Sequence, residues 1–151
     1  MSDKNTKSLF KETYLSVIKN SVGTKSFQNF YAKINNKKQD IMNGGELSCA
    51  FFVSSITTMF GLSARVHGTV DNAVKDFLNF GWVEIKKPRI GAILIWEDLN
   101  FEGEKHKHIG FYITKDEAIS NNSVKKVPQK HSWDFKGKRK VVKILWNEKL
   151  K

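Results

Sequence analysis

The chain has 151 residues, of which 40% are hydrophobic, 12% aromatic and 27% charged. This length and balance predict a single domain over residues 1–151 and exclude collagen-like and intrinsically disordered classes. The one cysteine excludes an internal disulfide, and the longest apolar run, Gly91–Trp96, is too short to cross a bilayer. No apolar stretch with a cleavage site follows the polar N-terminus, which predicts a cytoplasmic protein.

Apolar residues recur every three or four positions in the first half of the chain, which predicts helices. The predicted helices span Ser8–Asn20, Ser26–Asn35, Cys49–Phe60 and Val70–Phe80. The first two form a helical N-terminal part over about residues 1–40. Ser48 is suited to cap the third helix and Gly61 to end it. Because that helix is apolar almost all round, we expect it to be buried.

The second half changes to short runs of β-branched and aromatic residues, which predict strands. These runs are Trp82–Lys86, Ala92–Glu97, Lys107–Thr114, Glu117–Asn121 and Lys140–Trp146. Helices followed by strands indicate an α+β fold, with N-terminal helices packed on a mostly antiparallel, five-stranded sheet.

The net charge of +11 would suit nucleic acid or an anionic surface as partner. Arginine, the residue that phosphate recognition favours, occurs only at positions 65, 89 and 139, and the other basic residues are lysines. The charge therefore fits a solvated, lysine-coated surface better than a nucleic-acid patch.

Cys49 is the first residue of the third predicted helix, just after a glycine-containing loop. The helix dipole and the unpaired amides of the first turn should lower the pKa of a thiol at this position. The same amides could hold an oxyanion that develops on an attacked carbonyl. The alternative is an ordinary buried cysteine, since free cysteines are among the most buried residues.

His108 lies on a predicted strand that places His106, His108, Gly110 and Tyr112 on one face. Gly110 leaves room beside His108 for a close neighbour, and the helix that carries Cys49 would fit there. His106 and His108 also form a metal-binding spacing, but no third ligand is near in sequence, so neither a metal nor a cofactor is predicted.

The next strand runs into small polar residues, among which Ser120 and Asn121 could orient the imidazole of His108. Strand alternation allows only one of the two to point at that ring. Serine is the weaker orienting group, so Asn121 is the preferred candidate. A simple turn would also explain this polar segment.

Four segments, in the same order along the chain, resemble parts of the papain-like NlpC and CHAP cysteine peptidases and amidases. Leu47–Val53 resembles their cysteine helix, and Arg89–Trp96 is similar to their following apolar strand. His108–Ile113 resembles their histidine strand, and Ala118–Asn121 falls where they place the third catalytic residue. The usual aspartate after the glycine is Ala92 here. The resemblance covers about residues 40–123 and implies a papain-like fold.

Together these residues predict a thiol amidase, peptidase or acyltransferase that works through an acyl-enzyme. Its substrate would contain an amide or ester, as in a peptide, a peptidoglycan fragment or an acyl group. Asn43 would help the Cys49 amide to bind the oxyanion. The cleft would be lined by aromatic residues: Trp96, Tyr112, His131 and Trp133.

The alternative hypothesis is a basic binding module that has kept a papain-like fold without the chemistry. It depends on one cluster of cations near the C-terminus: Lys136, Lys138, Arg139, Lys140 and Lys143. Such a module would bind nucleic acid or an anionic surface, with an affinity that falls steeply as salt is added.

Overall fold

The computed structural model describes residues 6–101 and 103–151, with Phe101 described by its backbone alone. Within these residues the α-helices are α1 (Phe10–Asn20), α2 (Cys49–Met59) and α3 (Val70–Asn79). Each agrees with a predicted helix to within two residues. No helix in this part of the chain is both long enough and apolar enough to span a membrane.

The strands of the described residues form two antiparallel sheets. The strands are β1 (Tyr31–Ile34), β2 (Lys37–Asp40), β3 (Val83–Glu84), β4 (Ile93–Phe101), β5 (Glu104–Thr114), β6 (Glu117–Asn122), β7 (Val127–Ser132) and β8 (Val141–Trp146). β1 and β2 pair with each other, and the other six follow the order β3-β8-β4-β5-β6-β7. The predicted α+β class with an antiparallel sheet is confirmed, but the main sheet has six strands where five were predicted.

The predicted helix over Ser26–Asn35 is wrong, because residues 26–30 form turns and irregular structure and the hairpin of β1 and β2 begins at Tyr31. Asn35 and Asn36 join the two strands and have left-handed φ angles of 50° and 62°. Two such residues make the turn that matches the twist of a hairpin, and asparagine tolerates them. The helical N-terminal part is therefore α1 followed by a hairpin.

Helices α1 and α2 cover one face of the main sheet. Phe111 of β5 points into this layer, with its ring centroid 5.8 Å from that of Tyr14 and 5.5 Å from that of Phe52. All three side chains are completely buried. Since side chains alternate along a strand, the neighbours of Phe111 at even positions, His108 among them, face the opposite side.

Asp40, the last residue of β2, connects the hairpin to the loop before α2. Its carboxylate accepts hydrogen bonds from the backbone amides of Phe30, Met42 and Gly44 and from the side chain of Asn29. Burial alone would raise the pKa of Asp40, but these hydrogen bonds lower it to about 2.

We expect Asp40→Ala to lower the free energy of unfolding by about 2 kcal/mol, because it leaves several donors without their charged acceptor. Denaturation in urea measures the change. Gln39→Ala is the matched control on the same strand, where the side chain is exposed, and it should change stability by less than about 0.5 kcal/mol. Equal effects of the two substitutions would contradict the assigned role of Asp40.

Candidate active site

Strands β5 and β6 separate at one end of the sheet. Their pairing in the described structure ends at Gly110 and Ser120, although both strands continue beyond this point. The loop that leads into α2 is attached here, because Asn121 Nδ2 donates a hydrogen bond of 2.7 Å to the carbonyl of Gly45. The helix therefore begins at the opening between the two strands.

Cys49 begins α2 and is partly buried. It lines a cavity of about 990 Å³ together with His108, Ser120, His131 and Arg139. The cysteine, the histidine and both candidate third residues of the predicted site, Ser120 and Asn121, therefore lie around one space.

Burial raises the pKa of the Cys49 thiol, which is opposite to the predicted direction. The thiol pKa is lowered, by a smaller amount, by hydrogen bonds from the backbone amides of Ile109 and Ala50 and by the charge of Arg139. The Ala50 amide lies in the first turn of α2, so its effect is the one expected at the start of a helix. Loss of solvation outweighs them, so the resting thiol is neutral.

His108 belongs to a chain of hydrogen bonds that crosses three strands. Its Nε2 lies 2.8 Å from Ser120 Oγ, and the same oxygen lies 2.6 Å from His131 Nε2. At the far end, His131 Nδ1 lies 2.7 Å from the backbone carbonyl of Ser132. We call these groups the His108–Ser120–His131 chain.

The carbonyl at the end of this chain determines where each proton lies. A carbonyl can only accept, so His131 Nδ1 carries a proton and, in the neutral ring, Nε2 is an acceptor. Ser120 therefore donates its single proton to His131 and accepts from His108 Nε2. This arrangement leaves His108 Nδ1 with a free lone pair, which is the form of imidazole that can act as a base.

Both histidines are held in the neutral state. Burial, followed by the charges of Arg139 and His131, lowers the pKa of His108 to about 3. The ring of His108 is enclosed by those of Trp96 and Phe135, with centroids 5.2 and 5.9 Å away. Burial also lowers the pKa of His131, whose ring stacks on Phe135 at 4.1 Å.

Gly110 permits a close approach, but the neighbours are not those predicted. A Cβ at this position would lie 2.7 Å from both the Ile119 carbonyl oxygen and Ser120 Cβ, and 3.1 Å from the Trp96 ring. Ser120 and Trp96, not the helix that carries Cys49, use the space. The glycine therefore allows Ser120 to reach His108.

Of the two candidates for the third residue, Ser120 is the one that contacts His108. Asn121 is buried and its side-chain amide holds Gly45, while its Oδ1 has no hydrogen-bond partner among residues 6–101 and 103–151. The register that pairs Gly110 with Ser120 places Ser120 on the face of His108. Asn121, the next residue, points to the other face.

The remaining predicted residues lie outside the cavity wall. Asn43 is exposed, and its amide donates to Glu46 Oε2 at 2.7 Å. Trp96 is completely buried and donates to the carbonyl of Trp133, and Tyr112 packs edge-on against the Trp133 ring.

The predicted cationic cluster is divided in the structure. Lys136, Lys138 and Lys140 are exposed, whereas Arg139 is partly buried and lines the cavity. Arg139 belongs to the predicted surface cluster and His131 to the predicted cleft lining, and the sequence predicts no contact of either with the catalytic residues. The alternation of side chains along Val127–Ser132 would place His131 beside Ser120, but Pro128 argues against a strand in this segment, so none was predicted there. Proline is tolerated in β7 because it is an edge strand.

The Cys49 thiol and the His108 ring are not hydrogen-bonded to each other in the described residues. No group of three histidine, cysteine or acidic side chains that could hold a metal ion occurs within that part of the chain. No model of a known protein family and no curated protein matches this sequence.

Proposed function

We propose that the chain is a papain-like thiol hydrolase or acyltransferase, with Cys49 as nucleophile and His108 as general base. One observation carries the proposal: Cys49 and His108 line the same cavity, and the hydrogen-bond chain leaves His108 Nδ1 as a free base. The order of cysteine helix, histidine strand and polar third residue, which resembles the NlpC and CHAP enzymes, supports the same assignment.

The reaction begins with a neutral pair, since the thiol pKa is raised and the histidine pKa is lowered. His108 Nδ1 takes the thiol proton as the sulfur attacks the carbonyl carbon of an amide or ester. The first-turn amides of α2 stabilise the oxyanion. Because no hydrogen bond joins Cys49 and His108 in the described residues, the two groups must approach each other when substrate binds, as catalytic groups commonly do.

The tetrahedral intermediate then collapses. The carbonyl re-forms, the bond to the amine or alcohol breaks, and His108 gives its proton to that leaving group. An acyl group remains on Cys49. Water attacks this thioester in a hydrolase and an amine in an acyltransferase, with His108 again taking the proton. Ser120 and His131 keep the imidazole in the required tautomer and orientation throughout.

The proposal is tested with p-nitrophenyl acetate and the full chain. We expect a burst of p-nitrophenolate and an acetyl adduct on Cys49 by mass spectrometry, both lost in Cys49→Ala. His108→Gln should slow acylation by at least about a hundredfold, the usual contribution of a general base. His106→Gln is the matched control on the same strand.

Acylation that proceeds equally well in the Cys49→Ala protein would contradict the proposal. A complete absence of adduct in the wild type would favour the alternative, a binding module on the same fold. That alternative retains the exposed lysines at positions 136, 138 and 140 as its contact surface.

A further inference from the structure

Arg139 occupies an irregularity in the sheet beside the cavity. Between β4 and β5, Trp96 pairs with His108 and Leu99 pairs with His106, so two residues of β4 lie opposite one residue of β5. Such a β-bulge interrupts the ladder and leaves carbonyls without their usual partners. Arg139 binds two of them, with Nε donating to Glu97 O at 3.0 Å and Nη2 donating to His106 O at 2.8 Å.

These two hydrogen bonds fix the guanidinium but do not neutralise it. Nη1 has no hydrogen-bond partner, and no carboxylate forms an ion pair with Arg139, in the region that the structure describes. Burial lowers the pKa of Arg139, and the negative charges of ionised Cys49, Glu97 and Asp98 oppose this shift without outweighing it. A partly buried cation held in this way is suited to an anion that arrives from outside.

The position of this cation relates it to the nucleophile. Arg139 lines the cavity that contains Cys49 and His108. Its charge acts on both groups, lowering the pKa of the thiol and that of the imidazole. An anion bound by Arg139 would therefore share the cavity with the carbonyl that Cys49 attacks.

The rim of the cavity carries a net positive charge, as Arg139 does. Among the described residues that line it, five are lysine or arginine and three are carboxylates: Lys105, Lys107, Lys125, Lys130 and Arg139 against Glu46, Asp71 and Asp98. Lys107 is paired with Asp71 at 2.8 Å, and Lys130 with Glu117 at 3.3 Å. Lys105 and Lys125 form no ion pair in the described chain and stay available to an incoming anion.

We infer that the cavity contains an anion subsite centred on Arg139, which selects substrates with a carboxylate close to the reacting carbonyl. The inference rests on the proposed acyl-transfer function, since it assigns a substrate class to that site. Lys105 and Lys125 attract such substrates from solution, and Arg139 binds their carboxylate next to Cys49.

Two alkylating reagents of nearly equal size test the subsite without any substrate. Cys49 displaces iodide from iodoacetate, which is anionic, or from iodoacetamide, which is neutral, and the thiol proton is released to solvent. We expect the ratio of the two rate constants at pH 8 to exceed the ratio for free cysteine by about tenfold, equivalent to about 1.4 kcal/mol. Arg139→Gln should lower the ratio to within about twofold of that of free cysteine, because Lys105 and Lys125 remain.

Lys138→Gln is the matched control, because it removes one positive charge outside the cavity wall, and it should leave the ratio unchanged. The ratio also cancels any general change in thiol reactivity that the loss of Arg139 causes. In case Arg139→Gln does not fold, the double variant Lys105→Gln, Lys125→Gln should lower the ratio about twofold. The wild-type ratio should fall as sodium chloride is added.

A wild-type ratio equal to that of free cysteine would overturn the subsite. The subsite would also be overturned if Lys138→Gln lowered the preference for iodoacetate as much as Arg139→Gln does. Failure of the acyl-transfer function gives a different result, because the acetyl adduct is then absent while the alkylation ratio can still be high.

Discussion

The Gly110→Ala variant is expected to lose about 3 kcal/mol of its free energy of unfolding, near the upper end of the usual cost of overpacking. The added methyl group would lie 2.7 Å from the Ile119 carbonyl oxygen and from Ser120 Cβ. One of these atoms belongs to the backbone of a central strand, so it cannot rotate away. β6 must therefore move away from β5, and Ser120 loses its position against His108.

Urea denaturation measures this loss, and Gly68→Ala is its control. A Cβ on Gly68 would meet only flexible side-chain ends, the nearest being Ile41 Cδ1 at 3.4 Å. That substitution should change stability by less than about 1 kcal/mol. If the two variants were equally stable, Gly110 would not be in close contact with β6.

The second large effect expected is a loss of stability in mild acid. His108 has a usual pKa of 6.5 and a pKa of about 3 in the folded protein. Between these values the unfolded chain binds a proton that the folded protein does not, so the free energy of unfolding falls as the pH is lowered. His108 alone should account for about 2 kcal/mol between pH 6 and pH 4.5. The lowered pKa of His131 acts in the same direction.

The measurement is the free energy of unfolding in urea at several pH values, for the wild type and for His108→Gln. Glutamine has no proton to bind in this range, so the variant should show a flatter dependence on pH. The carboxylates titrate equally in both proteins, which makes the difference specific to His108. Parallel curves would contradict the neutral, buried state of this ring. Asp40, with a pKa of about 2, affects stability only at lower pH.

The helices could be predicted from the sequence because their signals are local. α2 and α3 show a dense apolar pattern and end at glycines, and both were located to within one residue. The segment that leads into the hairpin could not be distinguished from a helix by spacing alone, since Phe27, Phe30, Tyr31 and Ile34 recur at helical intervals. In the structure, Phe27 and Phe30 precede β1 and pack against α2. The signal that distinguishes the hairpin from a helix is the Asn35–Asn36 turn.

The candidate site was predicted in part for a related reason. Cys49 and His108 each have a local signature, a helix start and an alternating strand. The choice between Ser120 and Asn121 depends on the register of β5 with β6, which is determined by long-range packing that no local pattern records. Arg139 was misplaced because the carbonyls that hold it become available only through a bulge in another strand.

The insertion of α2 at the opening between β5 and β6 has a consequence for the order of events during synthesis. The thiol leaves the ribosome well before the strands that enclose it, because His108, Ser120 and His131 all follow Cys49 by more than fifty residues. Contacts between such distant segments form late and slowly in folding. A nascent or partly unfolded chain therefore exposes an ordinary cysteine, and any special reactivity of this thiol reports that the C-terminal strands have assembled.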